Sequence, residues 1–429
     1  MKKIGALHLS LFVLFLSFWI SSSTSWAFSS EREIRVRLEP GIEKVRVRGF
    51  DLQFYQVLKS SSGRSQWIRR IVSSDRTSEW EMRCQEGKVY GERLHVPAAV
   101  GHRFEVSGPI SIQTPVGFLH YENQLYRNEL KIYSSGVNCE VVNEVALEKY
   151  LDGLVNAEFS AQWNEQAVAA QVVAARTYAY YQMLDARKKG SHFDVDATVK
   201  DQVYHGSVQE DYQSSQIVKK TQGLVLTYPA GSHAIPMKAF YHSTCGGGTE
   251  LPEKVWGIPM PGLKKRVGCP YCVHSPRFEW SLELDQKEVI NAFVLGLSKE
   301  GLQPGWPQRS LEVLKIGKLM DLRLDKALEP PGRVSKVTSV WMDGKTLVEL
   351  PISGVQFRNW MGASRFKSTL FQVALHKTFF NKKWIFRGQG NGHGVGLCQW
   401  GAKTMGEKGF KMATILRFYY PDALLKKLW

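Results

Sequence analysis

Residues 150–181 read YLDGLVNAEFSAQWNEQAVAAQVVAARTYAYY. The spacing predicts two helices separated by a break. The second starts at Asn164-Glu165 and sets Ala167, Ala170, Ala174 and Tyr178 on one face, at steps of three and four. A face of alanines lets another element approach closely, so the break beside it can be held rigid. Glu158 sits at that break. A carboxylate fixed at a helix end is a candidate general acid or base, although a solvated helix-end glutamate gives the same pattern. Glu165 falls in the first turn of the next helix, where negative charge suits the dipole. Glu144, Glu148 and Asp152 read as surface residues of the preceding helix.

Before this stretch the chain looks β-rich. IRVRL (34–38) and VRVRGF (45–50) alternate apolar and basic residues, as half-buried strands do, with a turn signal at Glu39-Pro40-Gly41 between them. HRFEV (102–106) and LKIYS (130–134) fit the same pattern. The outward basic residues are either solvated or the lining of a groove. From Asn143 to about Lys189 the pattern is helical, and Gly190 to Gly206 is polar and loop-like. A short helix is expected over Ile217–Gly223, strands over LVLTY (224–228) and MKAFYHS (237–243), and a helix over Gln286–Leu297 within a mixed segment of about 279–350. WIFRG (384–388) reads as a strand, and a helix of about Ala402 to Phe418 is cut off by Pro421. The fold class is α+β: a mixed helical and β core, about 142–429, behind a β-rich portion at 28–141.

Lys2 and Lys3, an apolar run from Leu9 to Ile20 and the small-x-small pattern Ser25-Trp26-Ala27 read as a signal peptide, residues 1–27. The run is short of the ~20 residues a spanning helix needs, and no later segment is apolar enough to cross a bilayer, so no transmembrane anchor is expected in the mature chain. Removing Lys2 and Lys3 lowers the formal charge of +16 to +14. Such a balance favours polyanions. Export argues against nucleic acid and towards polymers of the periplasm or cell envelope. A muramic acid stripped of its peptide exposes a lactyl carboxylate, which makes a bare glycan strand a polyanion.

The stretch from Val142-Asn143-Glu144 to Tyr178 closely resembles the stage II sporulation protein D (SpoIID/LytB) family, whose pattern is roughly YLxGVVxxEM, W-P-x-E-A, then KAQAVAARTYA. Asp201-Gln202-Val203-Tyr204-His205-Gly206, Phe240-Tyr241-His242-Ser243-Thr244-Cys245-Gly246-Gly247 and Gly392 to Ala402 match further motifs in the family's order. The Phe357-Arg358 pair and ILRFYYPDA (415–423) fit as well. The resemblance implies a lytic transglycosylase acting on peptidoglycan strands already stripped of stem peptides, forming 1,6-anhydro-muramic acid products, with the catalytic glutamate on Glu158. It also implies an amidase acting upstream. An alternative of a different class is a non-catalytic glycan-binding activator of an amidase; a third is a general polyanion-binding envelope protein. Phe159, Ser160 and Asn164 replace the family's usual methionine and two prolines.

The chemistry agrees with a single acid. Ordinary glycosidases need two carboxylates. A lytic transglycosylase manages with one, because the muramic acid 6-hydroxyl serves as nucleophile. Apolar burial near Leu154, Phe159 and Trp163 would raise the pKa of that acid towards neutrality. No cofactor is required for such chemistry. Gly-His-Gly-Val-Gly (392–396) lacks the spacing of a dinucleotide loop; its glycines either let backbone approach a sugar, with His393 and Gln399 as polar contacts, or make a tight structural turn. Gln202, Tyr204, Tyr241, His242 and Thr244 complete the candidate substrate contacts, and Tyr204, Tyr241 and Trp400 are candidate stacking platforms.

There are six cysteines: Cys84, Cys139, Cys245, Cys269, Cys272 and Cys398. Cys269 and Cys272 form a CxxC unit which, with Cys245 and His242, would make a closed structural zinc site. In an exported chain a disulfide or free thiols fit these residues slightly better than zinc. Some members of the family hold metal through histidine and cysteine residues ahead of the QVY motif. Here that segment offers His192 and no cysteine, so that site is not carried over.

Overall fold

The computed structural model describes residues 32–59, 65–72, 76–97, 103–230, 233–327, 331–377 and 382–429. The expected signal peptide, and His102 of the strand expected over 102–106, lie outside the described residues.

Two antiparallel sheets face each other in the first part of the chain. One has seven strands, in the order 195–196, 33–42, 138–146, 129–135, 110–113, 53–59 and 65–72; the other has six, in the order 124–126, 119–121, 44–50, 77–85, 88–93 and 103–107. The only parallel pairing in the first sheet is that of Val195–Asp196 with Val36–Arg37. The strand Lys44–Phe50 shows why the alternation works: Val45, Val47 and Gly49 point inward, and Lys44, Arg46 and Arg48 point out. The inner faces share one core containing Val36, Phe54, Trp80, Met82, Ile112 and Val141. A disulfide between Cys84 and Cys139 ties the six-stranded sheet to the seven-stranded one. The expected turn at Glu39-Pro40-Gly41 is instead an irregular part of the strand Glu33–Ile42, with register shifts on both sides of Glu39 and Gly41 at φ 75°. Pro40 has no N–H for the ladder, so the strand bulges where a turn was expected.

The outward basic residues are mostly paired. Arg35 binds the buried Asp194 at 2.5 Å, Arg37 binds Asp196 at 2.6 Å, and Arg46 binds Glu81 at 2.9 Å. The first two pairs anchor the loop that follows Gly190 onto the sheet, which fixes the backbone leading to Val203.

The strand Asn138–Ala146 runs straight into helix α1, Leu147–Glu158. Asn143–Ala146 is therefore strand, not helix, and the boundary expected at 142 falls inside a hydrogen-bonded element. Helix α1 buries Leu147, Tyr150, Leu151, Leu154 and Val155, a stripe at helical spacing, in the same core as the sandwich. The three acids expected on its surface are all engaged. Glu144 lies in the strand and pairs with Lys131, Glu148 pairs with the buried Arg176 at 2.7 Å, and Asp152 is itself buried beside Lys149.

Helix α2, Glu165–Lys188, is capped by the Asn164 side chain, which accepts from the Gln166 amide at 2.9 Å. Its alanine face meets the helix Gln399–Glu407. A Cβ placed on Gly406 would lie 3.0 Å from the Cβ of Ala167, so this approach is as close as the alanines allow. Ala170, Val173 and Ala174 share a core with Ala402, Met405 and Tyr419. The single long helix expected over 402–418 is two, Gln399–Glu407 and Met412–Tyr419. Gly409, at φ 85°, turns the chain between them. Leu424–Lys427 then pairs with Leu224–Ala230, and the Trp429 indole donates to Glu148 at 3.3 Å, at the start of α1.

Of MKAFYHS, only Tyr241–His242 pairs, parallel to Leu397–Cys398. The mixed segment expected over about 279–350 extends to about 389 and forms its own core, in which Phe357, Phe366, Phe371 and Phe386 pack edge to face and stacked around the helix Gln286–Glu300 and two three-stranded sheets. The short helix expected over 217–223 starts earlier, as Tyr212–Lys220. Among the described residues no helix is long and apolar enough to cross a membrane.

Candidate functional site

Glu158 is the last residue of α1. Phe159 is fully extended and its amide still bonds back to Val155 at 2.9 Å, so the chain leaves the helix abruptly and Glu158 is held at the end of a buried stripe. Its side chain is half-buried. Burial pushes its pKa up to about 7, against the opposing pull of one hydrogen bond. That bond comes from the Val203 amide, which donates to Oε1 at 2.6 Å. Phe159 is buried beside it, with Trp163 at 6.4 Å between ring centroids and Trp400 a further 5.5 Å on.

Two motifs interlock to place that amide. Gly153 of α1 lies against Gly206 of the loop after Val203: a Cβ on Gly153 would stand 2.2 Å from the Gly206 carbonyl oxygen. Gly206 adopts φ 67°. No side chain fits at either position without moving the loop.

Gln202 is fully buried. It accepts from the Tyr150 hydroxyl at 3.0 Å, and its amide donates to the Ala175 carbonyl at 3.2 Å and the Tyr241 hydroxyl at 3.0 Å. It is a strut under the site, not the sugar contact expected for it. Tyr204 is likewise buried, its hydroxyl donating to Asn143 at 3.0 Å, so it is no stacking platform. Thr244 is buried on Ser275 at 2.8 Å, and Gln399 is buried at the start of its helix. His242 is buried, with Nδ1 3.1 Å from the Val395 carbonyl. These five lie behind the surface because their motifs form the turns that shape it.

Tyr241 and His393 do reach a cleft. It has a volume of about 240 Å³ and is lined by Tyr178, Asp201, Phe240, Tyr241, Trp256, Arg358 and His393, among others. Phe240 stacks on Trp256 at 4.5 Å, and Trp256 lies 5.1 Å from His393, which gives the cleft an aromatic wall. His393 Nδ1 accepts from the Val395 amide at 3.0 Å, and burial lowers its pKa to about 3, so it stays neutral. Arg358 donates to the carbonyls of Phe366 at 3.0 Å and Ala363 at 3.5 Å, and burial lowers its pKa. Glu158 does not line this cleft. Burial raises the phenols of both Tyr178 and Tyr241; after it Asp201 contributes most at Tyr178 and the charge of Glu158 most at Tyr241. The other acid nearby, Asp201, is fully occupied. One oxygen accepts from Tyr178 at 2.7 Å and Gln182 at 2.9 Å, the other from the Asp196 amide at 2.9 Å.

Three features escaped the sequence. The Val203 donor is backbone and has no residue signature. Trp256 lies in an unremarked segment, and Arg358 had registered only as part of a motif. His192 pairs with Glu140 and packs at a tilt against Tyr133, with ring centroids 4.5 Å apart.

The cysteines divide in two. Cys84 and Cys139 are bonded. Cys245, Cys269, Cys272 and Cys398 are free, buried, and have their sulfurs all within 4.8 Å of one another. The expected cluster is thus corrected in one member: Cys398, not His242, is the fourth residue.

Helix α1, α2 and the loop that binds Glu158 fall inside residues 135–228, which match the family model described as stage II sporulation protein, SpoIID. The chain belongs to the SpoIID family. An uncharacterised protein of Brachyspira hyodysenteriae is 31% identical over 280 residues, covering 65% of this chain and 66% of that one. The amidase enhancer of Bacillus subtilis is 29% identical over 308 residues, covering 64% of this chain and 40% of its own length. Stage II sporulation protein D of Bacillus subtilis is 28% identical over 315 residues, covering 67% and 78%. This SpoIID protein thus spans less than two thirds of the first two relatives.

Proposed function

We propose that this SpoIID protein is an exported lytic transglycosylase of the cell envelope that cleaves peptide-stripped peptidoglycan strands, with Glu158 as its only acid and base. One observation carries the reading: a half-buried carboxyl group, raised to about 7, with one oxygen held by the Val203 amide. Protonated Glu158 gives its proton to the glycosidic oxygen as the bond to C1 breaks. The 6-hydroxyl oxygen of the same muramic acid then closes onto C1 and returns its proton to the carboxylate. No water and no second carboxylate enter, and the 1,6-anhydro ring is the product. A pKa near neutrality suits a group that must both give and take a proton.

The neighbouring cleft supplies binding. Its aromatic wall offers a stacking surface for a sugar, and Arg358, which donates only to carbonyl oxygens among the described contacts, is placed to receive a lactyl carboxylate. An amidase acting upstream would expose that carboxylate. The Cys84–Cys139 disulfide supports an oxidising compartment.

The second reading is a glycan-binding activator of an amidase that cuts nothing itself; similarity to a relative named as an amidase enhancer favours it. Purified protein incubated with denuded strands separates the two. Formation of 1,6-anhydro ends, lost in Glu158→Gln, supports the enzyme. Binding without product in the wild type overturns it and leaves the activator.

A further inference from the structure

We propose that Cys245, Cys269, Cys272 and Cys398 form a four-thiolate zinc site that locks the wall of the cleft. The four side chains come from three separate parts of the chain. Cys245 follows the strand Tyr241–His242, Cys269 caps and Cys272 ends a single turn of 3₁₀ helix that starts at Pro270, and Cys398 ends the strand Leu397–Cys398 and caps the helix Gln399–Glu407. Yet every sulfur lies within 4.8 Å of the others, with Cys245 and Cys272 3.4 Å apart. Zinc–sulfur bonds of about 2.3 Å in tetrahedral array put neighbouring sulfurs roughly 3.8 Å apart, within the span of this cluster. A sulfur–sulfur bond needs about 2.05 Å, which Cys245 and Cys272 do not approach.

The surroundings are those of a metal-bound thiolate set. The Cys245 amide points at Cys398 Sγ at 3.3 Å, and the Gly401 amide at the same sulfur at 3.4 Å. The Tyr419 hydroxyl is 3.2 Å from Cys269 Sγ. N–H and O–H groups aimed at sulfur orient ligands and spread their charge. Gly401 is part of the cradle, since a Cβ there would stand 2.9 Å from Cys269 Sγ. Four thiolates on one zinc leave a net charge of −2, which a dry core tolerates poorly. Arg333 answers it: this buried guanidinium donates to the Cys245 carbonyl at 2.7 Å. An all-sulfur tetrahedral set suits zinc, and with no open position it is structural.

Its role follows from what it fastens. Tyr241 pairs with Leu397 and His242 with Cys398, and Thr244 bridges to Asn391 beside Gly392 and His393. The ion would therefore clamp the strand that carries Tyr241 to the strand Leu397–Cys398, whose preceding turn carries His393 into the cleft. The site stands independently of what the cleft binds.

Full-length mature protein, purified after export without chelator, tests this by elemental analysis and by mass spectrometry of thiols alkylated after denaturation. The expected result is about one zinc per chain, with a single disulfide at Cys84–Cys139 and four alkylated cysteines. No bound zinc, whether the four cysteines are then found as disulfides or as free thiols, overturns the proposal. Cys398→Ser is expected to lose the zinc and His242→Ala to keep it; zinc lost from the histidine variant instead overturns the four-cysteine set. Should Cys398→Ser fail to fold, cobalt exchanged into the wild type decides. The thiolate-to-cobalt and d–d bands of a tetrahedral tetrathiolate support the site, and a spectrum with nitrogen ligation sinks it.

Discussion

The Val203 amide donates to Glu158 Oε1 at 2.6 Å, so the carboxyl group at the end of one helix is held by the backbone of a loop 45 residues further along the chain. The bond opposes the effect of burial yet does not cancel it, and the acid remains raised to about 7. It also fixes which oxygen is spoken for: the Val203 amide takes Oε1.

Replacing Glu158 by Gln keeps that hydrogen bond, because the Gln carbonyl can accept from Val203. The variant is expected to bind denuded strands as before and to lose cleavage by about 10²–10⁴-fold. In the wild type, turnover limited by protonation of the leaving oxygen falls as pH rises through about 7. Rates of 1,6-anhydro formation across pH, at saturating strand, check both.

The same raised pKa has a stability consequence. Between the ordinary carboxylate value of 4.5 and about 7, the folded protein holds a proton at Glu158 that the unfolded chain has released. Stability therefore declines with rising pH through that window. Glu158→Gln removes the decline. Its advantage over wild type in urea unfolding should be absent near pH 4 and fully developed by about pH 8. A difference independent of pH would show that Glu158 titrates normally.

Gly153→Ala is a test from a distance. The new methyl group meets the Gly206 carbonyl, which must retreat and take Val203 with it. A cost of about 1–3 kcal/mol is expected from overpacking, seen as a lower unfolding midpoint. Cleavage should drop by more than the folded fraction does, since the amide leaves Glu158.

Cys84→Ser with Cys139→Ser releases a loop with a sequence separation of 55 and separates the two sheets chemically. Loop entropy predicts a loss of about 4 kcal/mol. Denaturant unfolding measures it, and the zinc content should be unchanged.

Arg358→Ala should raise KM on denuded strands by roughly 10–100-fold with little change in kcat, the worth of one charge-assisted hydrogen bond. On strands whose lactyl groups remain amide-linked to peptide, the substitution should make no difference. An equal effect on both would remove Arg358 from carboxylate recognition.

Much of this was legible in the sequence wherever local periodicity decides structure. The alternation in VRVRGF, the alanine face of α2 and its start at Asn164-Glu165 each follow from spacing alone. Glu158 was legible as a position but not as an environment. Its partner is a backbone amide, and the glycines that bring that amide close belong to motifs 53 residues apart. The run VVNEVAL reads equally well as buried strand or helix, and it is pairing with Glu33–Ile42 that makes it strand. Burial of Gln202, Tyr204 and Thr244 was invisible for the same reason: a polar residue in a motif looks alike whether it touches a ligand or supports one. Cys398 escaped because nothing near it in sequence resembles half a metal site.

The contact between Trp429 and Glu148 spans 281 residues and closes the chain on itself beside the helix that ends at Glu158. Its meaning is temporal. A polypeptide emerging amino end first presents α1 and α2 long before the residues that complete their core. Leu424–Lys427 must arrive to pair with Leu224–Ala230, and Cys398 must arrive to join the other three thiols. Folding dominated by such distant closures is slow, and its partly formed states expose apolar surface. The helix end that carries Glu158 is therefore complete only once Leu424–Lys427 and Cys398 are in place, so its environment is among the last parts of the fold to form.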